Sequence, residues 1–151
     1  MLLAQIPLAG MVEGRRRMPI LAVGAALWAI AWLLLSLAAS SEGITSALIA
    51  APAIVLYGLG ESLYALIVTP TVASLAPDAL RGRYLAVLSV GWQGGYVLGP
   101  SIGGQLVVLA PWVLPAFGAA GALIAIVLAL RLDADLPVAH RQTPRTSRLA
   151  A

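Results

Sequence analysis

Long apolar runs alternate with short polar connections along this chain, and the runs have the length of bilayer crossings. Residues 18–41 carry no charge, and about 20 apolar residues suffice for one helical crossing. Ser40, Ser41, Glu42 and Gly43 form a short polar turn. A second apolar run, residues 44–76, contains Pro52 and Pro70 and is interrupted by one acid, Glu61. It is longer than a single crossing needs, so it must tilt, bend or extend past the interface. Pro77, Asp78, Ala79, Leu80, Arg81, Gly82 and Arg83 make the next connection. Residues 84–130 then suffice for two helices, divided at Pro111, Trp112 and Pro115. Proline ends helices and tryptophan favours the interface. The pattern predicts an all-α membrane protein with about four transmembrane helices, near 18–40, 46–75, 84–108 and 112–131.

Both ends depart from this rhythm. Residues 1–12 are apolar but too short to cross a bilayer, and no basic residue precedes them. That order excludes a signal peptide and reads as the end of a further helix. Residues 1–135 form the membrane portion. Residues 136–151 carry prolines and arginines and are expected to be a solvated, disordered cytoplasmic tail.

Composition places the runs in lipid. Hydrophobic residues make up 61% and charged residues 10% of 151, and the mean hydropathy is +0.97. A water-soluble domain of this size needs more charge to cover its surface. The net charge of +3 comes from nine arginines. All nine lie before the first predicted helix, between the second and third, or from the last residue of the fourth onward. Such alternation puts both termini, the Glu13–Arg15–Arg16–Arg17 loop and the Asp78–Arg81–Arg83 loop in the cytoplasm. Glu42 and Trp112 then face the other side of a cell membrane, inner or plasma. The arginines are confined to loops and line no single face, which argues against nucleic-acid binding. With no cysteine and one histidine, His140, there is no material for a metal cluster, and no cofactor is expected. Gly58-x-Gly60 lies inside an apolar span and lacks the strand–helix setting of a dinucleotide site. No nucleophile–base constellation is present, so no enzyme chemistry is expected.

The third predicted helix is rich in glycine. Gly91, Gly95, Gly99 and Gly103 recur every four residues, with Gly104 beside the last. This spacing leaves a stripe without side chains against which another backbone can pack. Pro100 removes one donor and predicts a kink. The bland reading is a packing helix with a fixed bend; the sharper one is a smooth face on which the helix rocks.

Gly95-x-x-x-Gly99-Pro100-x-x-Gly103-Gly104, preceded by Leu75-Ala76-Pro77 and Arg81-Gly82-Arg83-Tyr84, resembles the major facilitator superfamily. The combination looks like the tenth helix, cytoplasmic loop and eleventh helix of its twelve-helix members. Gly10-Met11-Val12-Glu13-Gly14-Arg15-Arg16-Arg17 is similar to that family's arginine loop, though shorter by two residues and without the arginine beside the acid. The resemblance implies helices nine to twelve and the end of helix eight of a secondary transporter of small molecules. Its partners are then the bilayer, a small-molecule substrate and the amino-terminal helices of the same transporter. The alternative is a self-contained four-helix protein that forms a homo-oligomer through its glycine helix, as a small exporter or structural subunit.

Glu61 is the most pointed candidate. A charge at bilayer depth costs at least about 2.5–3.5 kcal/mol on insertion scales, and Tyr57 and Tyr64 lie one turn before and just under one turn after it. Three readings stay open: a proton-coupling or substrate-cation site, a neutral acid bonded to a neighbouring helix, or an acid reaching the interface. Gln93 and Tyr96 lie almost on one face of the glycine helix and read either as cavity lining or as interhelical hydrogen-bonding groups. Trp28 and Trp32 form one stripe of the first predicted helix.

Overall fold

A computed structural model describes residues 2–143, with side chains from Pro7 onward. The described residues form α1 (Leu2–Val12), α2 (Arg17–Ala39), α3 (Gly43–Leu75), α4 (Arg81–Leu109) and α5 (Val113–Asp135). Short 3-10 turns at Asp78–Leu80 and Val138–His140 complete the order. Helices are the natural answer to this sequence, because in lipid every backbone N–H and C=O must find its partner within the segment. Gly14, with φ of 68°, turns the chain from α1 into α2, a conformation that other residues resist. At the opposite end of α2, Ser41 and Ser40 donate to the Leu37 carbonyl, both at 2.9 Å. Ser46 of α3 donates to the Ala38 carbonyl at 2.9 Å.

Three of these helices, α2, α3 and α5, are long and apolar enough to cross a membrane. The third predicted crossing corresponds to α4, which is continuous over 29 residues. Its glycines, Gln93 and Pro100 dilute its apolar character, and it falls short of the other three.

The centre of the molecule is α2, packed along both α3 and α5. Many of the residues buried there are small, among them Ala22, Ala25, Ala29 and Ala31 on α2, Ala53 and Gly60 on α3, and Ala119 and Ala122 on α5. Hydrophobic drive between helices is absent in lipid, so close van der Waals contact through small residues takes its place. At the glycines, the tightest approach between two backbones joins Gly24 and Gly60: a Cβ on Gly60 would lie 2.7 Å from the Gly24 carbonyl oxygen. A Cβ on Gly118 of α5 would fall on the Trp32 ring. Large apolar side chains such as Leu33, Ile54, Val97 and Leu128 point outward, as a lipid-facing surface requires.

By contrast, α4 buries no residue and meets α3 and α5 only sparingly. A Cβ at Gly91, Gly94, Gly95, Gly99 or Gly104 would meet nothing within 4 Å; at Gly103 it would meet only Leu114, at 3.6 Å. The close helix contact predicted for this stripe is not made by the described residues. It is made instead at Gly24, Gly60 and Gly118.

The tail also departs from expectation. Residues 136–143, predicted to be disordered, fold back over the arginine-bearing end of the bundle. Leu136 is apolar and packs with Met18 and Ile67 in a buried cluster. The Arg17 N–H, one of the donors a helix start leaves unpaired, donates to the Arg141 carbonyl at 2.8 Å. Thr143 N–H donates to the Arg15 carbonyl at 3.0 Å, and Gly14 N–H to the Thr143 carbonyl at 3.3 Å. Residues 144–151 of the predicted tail lie outside the described residues.

Candidate functional site

The site is built from three helices that each contribute aromatic side chains. On α3, Tyr57, Glu61 and Tyr64 are spaced four and three residues apart, which places them on one face. On α2, Trp28 lies against the bare backbone of Gly60. Its ring stacks on Tyr57 with centroids 5.8 Å apart and tilts against Tyr64 at 5.6 Å. Its Nε1–H donates to the Tyr57 carbonyl at 3.2 Å. On α4, Trp92 and Tyr96 are one turn apart, their centroids separated by 5.7 Å. Trp92 packs edge-on to Tyr64 at 5.5 Å and donates its Nε1–H to the Tyr64 hydroxyl at 3.2 Å. Trp32 meets Tyr57 edge to face at 6.2 Å. Six rings thus form one unbroken series from α2 through α3 to α4.

Five of these rings, all but Trp32, wall a cleft of about 690 Å³, with Glu61 among its lining residues and Leu88, Gly91 and Gly95 on the α4 side. The two glycines leave the wall thin where a side chain would fill the space, since nothing stands within 4 Å of a Cβ at either. Among the described residues no arginine, lysine or histidine lines the cleft. Among the described residues Glu61 makes no ion pair, whereas Asp133 pairs with Arg16 and Asp78 with Arg81.

Four of the five residues predicted for this site are brought together: Tyr57, Glu61, Tyr64 and Tyr96. Gln93 is not. It is exposed and outside the cleft lining, because one residue beyond Trp92 lies about 100° further round the helix. Trp28 and Trp92 were missed as cleft residues. The chain shows only that Trp28 and Trp32, and likewise Trp92 and Tyr96, are separated by one helical turn, which does not say which way either pair faces. Glycine spacing drew attention to packing, whereas Gly91 and Gly95 widen a cavity.

The arginine loops have their own structure. Arg16 pairs with Asp133 at 2.5 Å. Arg17 is buried and donates to the Ser74 hydroxyl at 2.8 Å and the Gln142 carbonyl at 3.1 Å. Arg81 pairs with Asp78 at 2.7 Å and donates to the Ala73 carbonyl at 3.2 Å. Arg83 borders a smaller, apolar hollow with Val72, Tyr84, Val87 and Leu88. Arg15 contributes its carbonyl to the contact with Thr143, and Glu13 lies in the turn beside it.

Apolar helices packed through small residues, with large side chains facing outward and arginines at helix ends and in the connections, define a multi-pass membrane protein. The family model of the Major Facilitator Superfamily matches residues 1–150, and the chain belongs to that superfamily of transporters. No curated protein and no solved structure matches it.

Proposed function

We propose that the chain moves a small molecule across the cell membrane as the carboxy-terminal part, helices nine to twelve, of a proton-coupled secondary transporter. The observation that carries this reading is Glu61: a carboxylate near the midpoint of a crossing helix, opening onto a cleft between α2, α3 and α4. An acid inside a membrane span marks an ion or substrate pathway by default, and in secondary transporters such sites sit at the midplane. The uncovered face of α4 supports the incompleteness of the bundle, because a helix that buries nothing has its packing partners elsewhere. Amino-terminal helices of the same transporter are the proposed partners.

The test is Glu61→Gln in the complete transporter. The amide keeps shape and hydrogen bonding but cannot titrate. The other titratable groups of the cleft are the phenols of Tyr57, Tyr64 and Tyr96, and the substitution leaves them in place. Proton-driven accumulation should therefore be lost and its pH dependence flattened, while exchange of labelled substrate down its gradient persists. Wild-type accumulation with unchanged pH dependence would remove the coupling role.

Orientation follows from the arginines, with both termini and the loop through Asp78 proposed to be cytoplasmic. In this cysteine-free chain an impermeant thiol reagent applied to intact cells should label Ser41→Cys and leave Ala79→Cys unlabelled. The reverse pattern would overturn the orientation.

A further inference from the structure

The walls of the cleft say more about its occupant than that it is small. Five rings line it, from Trp28, Tyr57, Tyr64, Trp92 and Tyr96, with one carboxylate and no cationic side chain among them. Aromatic faces carry negative quadrupole density and attract a cation lying within about 6 Å of the ring centroid. Tryptophan attracts a cation most strongly, and two line the cleft together with Glu61, Trp28 from α2 and Trp92 from α4. We infer that the cleft is a receptor for a bulky monovalent organic cation, its charge held by Glu61 and its apolar body by Trp28 and Trp92. This rests on the reading of the cleft as the transport site and specifies the chemistry of the substrate.

Other ligand classes match the lining poorly. A bare metal ion needs several oxygen ligands, typically six or more for the hard divalent ions, and one carboxylate does not supply them. An anion would meet Glu61 with no positive side chain to offset it. A sugar would need many hydrogen-bond partners, yet the Trp28 indole N–H is engaged with the Tyr57 carbonyl and the Trp92 indole N–H with the Tyr64 hydroxyl. A cation whose charge is buried in apolar substituents makes few such demands. The volume of about 690 Å³ lies in the range of roughly 300–1,000 Å³ that holds drug-sized ligands.

Charge is separable from shape with tetraphenylphosphonium and tetraphenylborate, which have nearly the same shape and opposite charge. Each labelled ion is titrated separately against the full chain in nanodiscs of zwitterionic lipid, with empty nanodiscs subtracted. Saturable binding of the phosphonium is expected, at least tenfold tighter than that of the borate. Glu61→Gln should weaken the phosphonium at least tenfold, Glu61→Asp should restore most of the affinity, and Trp92→Leu should cost roughly three- to tenfold. Helix content and a single elution peak establish that each variant is folded. Should Glu61→Gln not fold, the phosphonium-to-borate ratio on the wild-type chain still decides. Equal binding of the two ions, no saturable binding by folded protein, or full phosphonium affinity in folded Glu61→Gln would each overturn the inference. Selective phosphonium binding without proton-driven flux in the complete transporter would overturn the coupling and leave the cation site standing. Proton-driven flux without charge selectivity would do the opposite.

Discussion

Where α2 meets α3, Gly24 and Gly60 bring two backbones together so closely that a single methyl group on Gly60 would lie 2.7 Å from a carbonyl oxygen. Along α4, Gly91, Gly95 and Gly99 have the more regular spacing, and nothing in the described chain stands within 4 Å of a methyl placed there. The same residue type therefore performs opposite tasks in two regions of one small molecule. In the first it removes a side chain so that a helix and the Trp28 ring can enter; in the second it leaves space. A glycine period reveals that one side of a helix is bare. What occupies the bare side is decided by the neighbouring helices, and here the neighbours of α4 are rings that stand back and enclose a cleft.

The largest effect expected from this contrast is at Gly60. The atom in the way is a backbone oxygen, which cannot rotate aside as a side chain does. Gly60→Ala should cost about 1–3 kcal/mol by overpacking. Gly60→Leu, which must also displace Trp28, should abolish recovery of folded, monodisperse protein. The yield in mild detergent and the midpoint of thermal unfolding measure this directly. A Gly60→Leu variant with wild-type yield and midpoint would mean that the α2–α3 contact is not the anchor of the bundle.

How much of this was legible in the chain differs from region to region. The helices followed from apolar run length, because a bilayer imposes one thickness on every crossing; α2 occupies Arg17–Ala39 where residues 18–40 were predicted. Tyr57, Glu61 and Tyr64 were legible as a group because one helix carries all three at helical spacing. The contributions of Trp28 and Trp92 were not, since they depend on which faces of α2 and α4 turn towards α3, and period alone does not fix the rotation of a helix that is apolar all round. The tail was misjudged for a similar reason. Its prolines and arginines read as solvated, but Leu136 finds a buried place beside Met18 and Ile67. The backbone around Arg141 and Thr143 satisfies groups on the Gly14–Arg17 turn. Local composition carries no record of such distant partners.

The smaller and more discriminating effect is at Gly95. If the stripe on α4 exists to enlarge the cleft, Gly95→Leu should leave the yield and helix content of this chain unchanged, because its side chain has open space to enter. It should nonetheless abolish binding in the cleft, since Gly95 lines the wall beside Trp92 and Tyr96. Gly99→Leu, one turn further on and outside the cleft lining, should preserve both fold and binding, as should Val97→Leu, which is 73% exposed. The comparison sharpens in the complete transporter. There, a helix outside this chain seated on the stripe would make Gly99→Leu as damaging to the fold as Gly60→Leu, because close backbone approach is lost at either position. Harm from Gly99→Leu in the complete transporter alone would assign the stripe to packing against the proposed amino-terminal helices. Harm from Gly95→Leu to the fold of the isolated chain would break the contrast between the two regions, since α4 would then be held by its glycines after all.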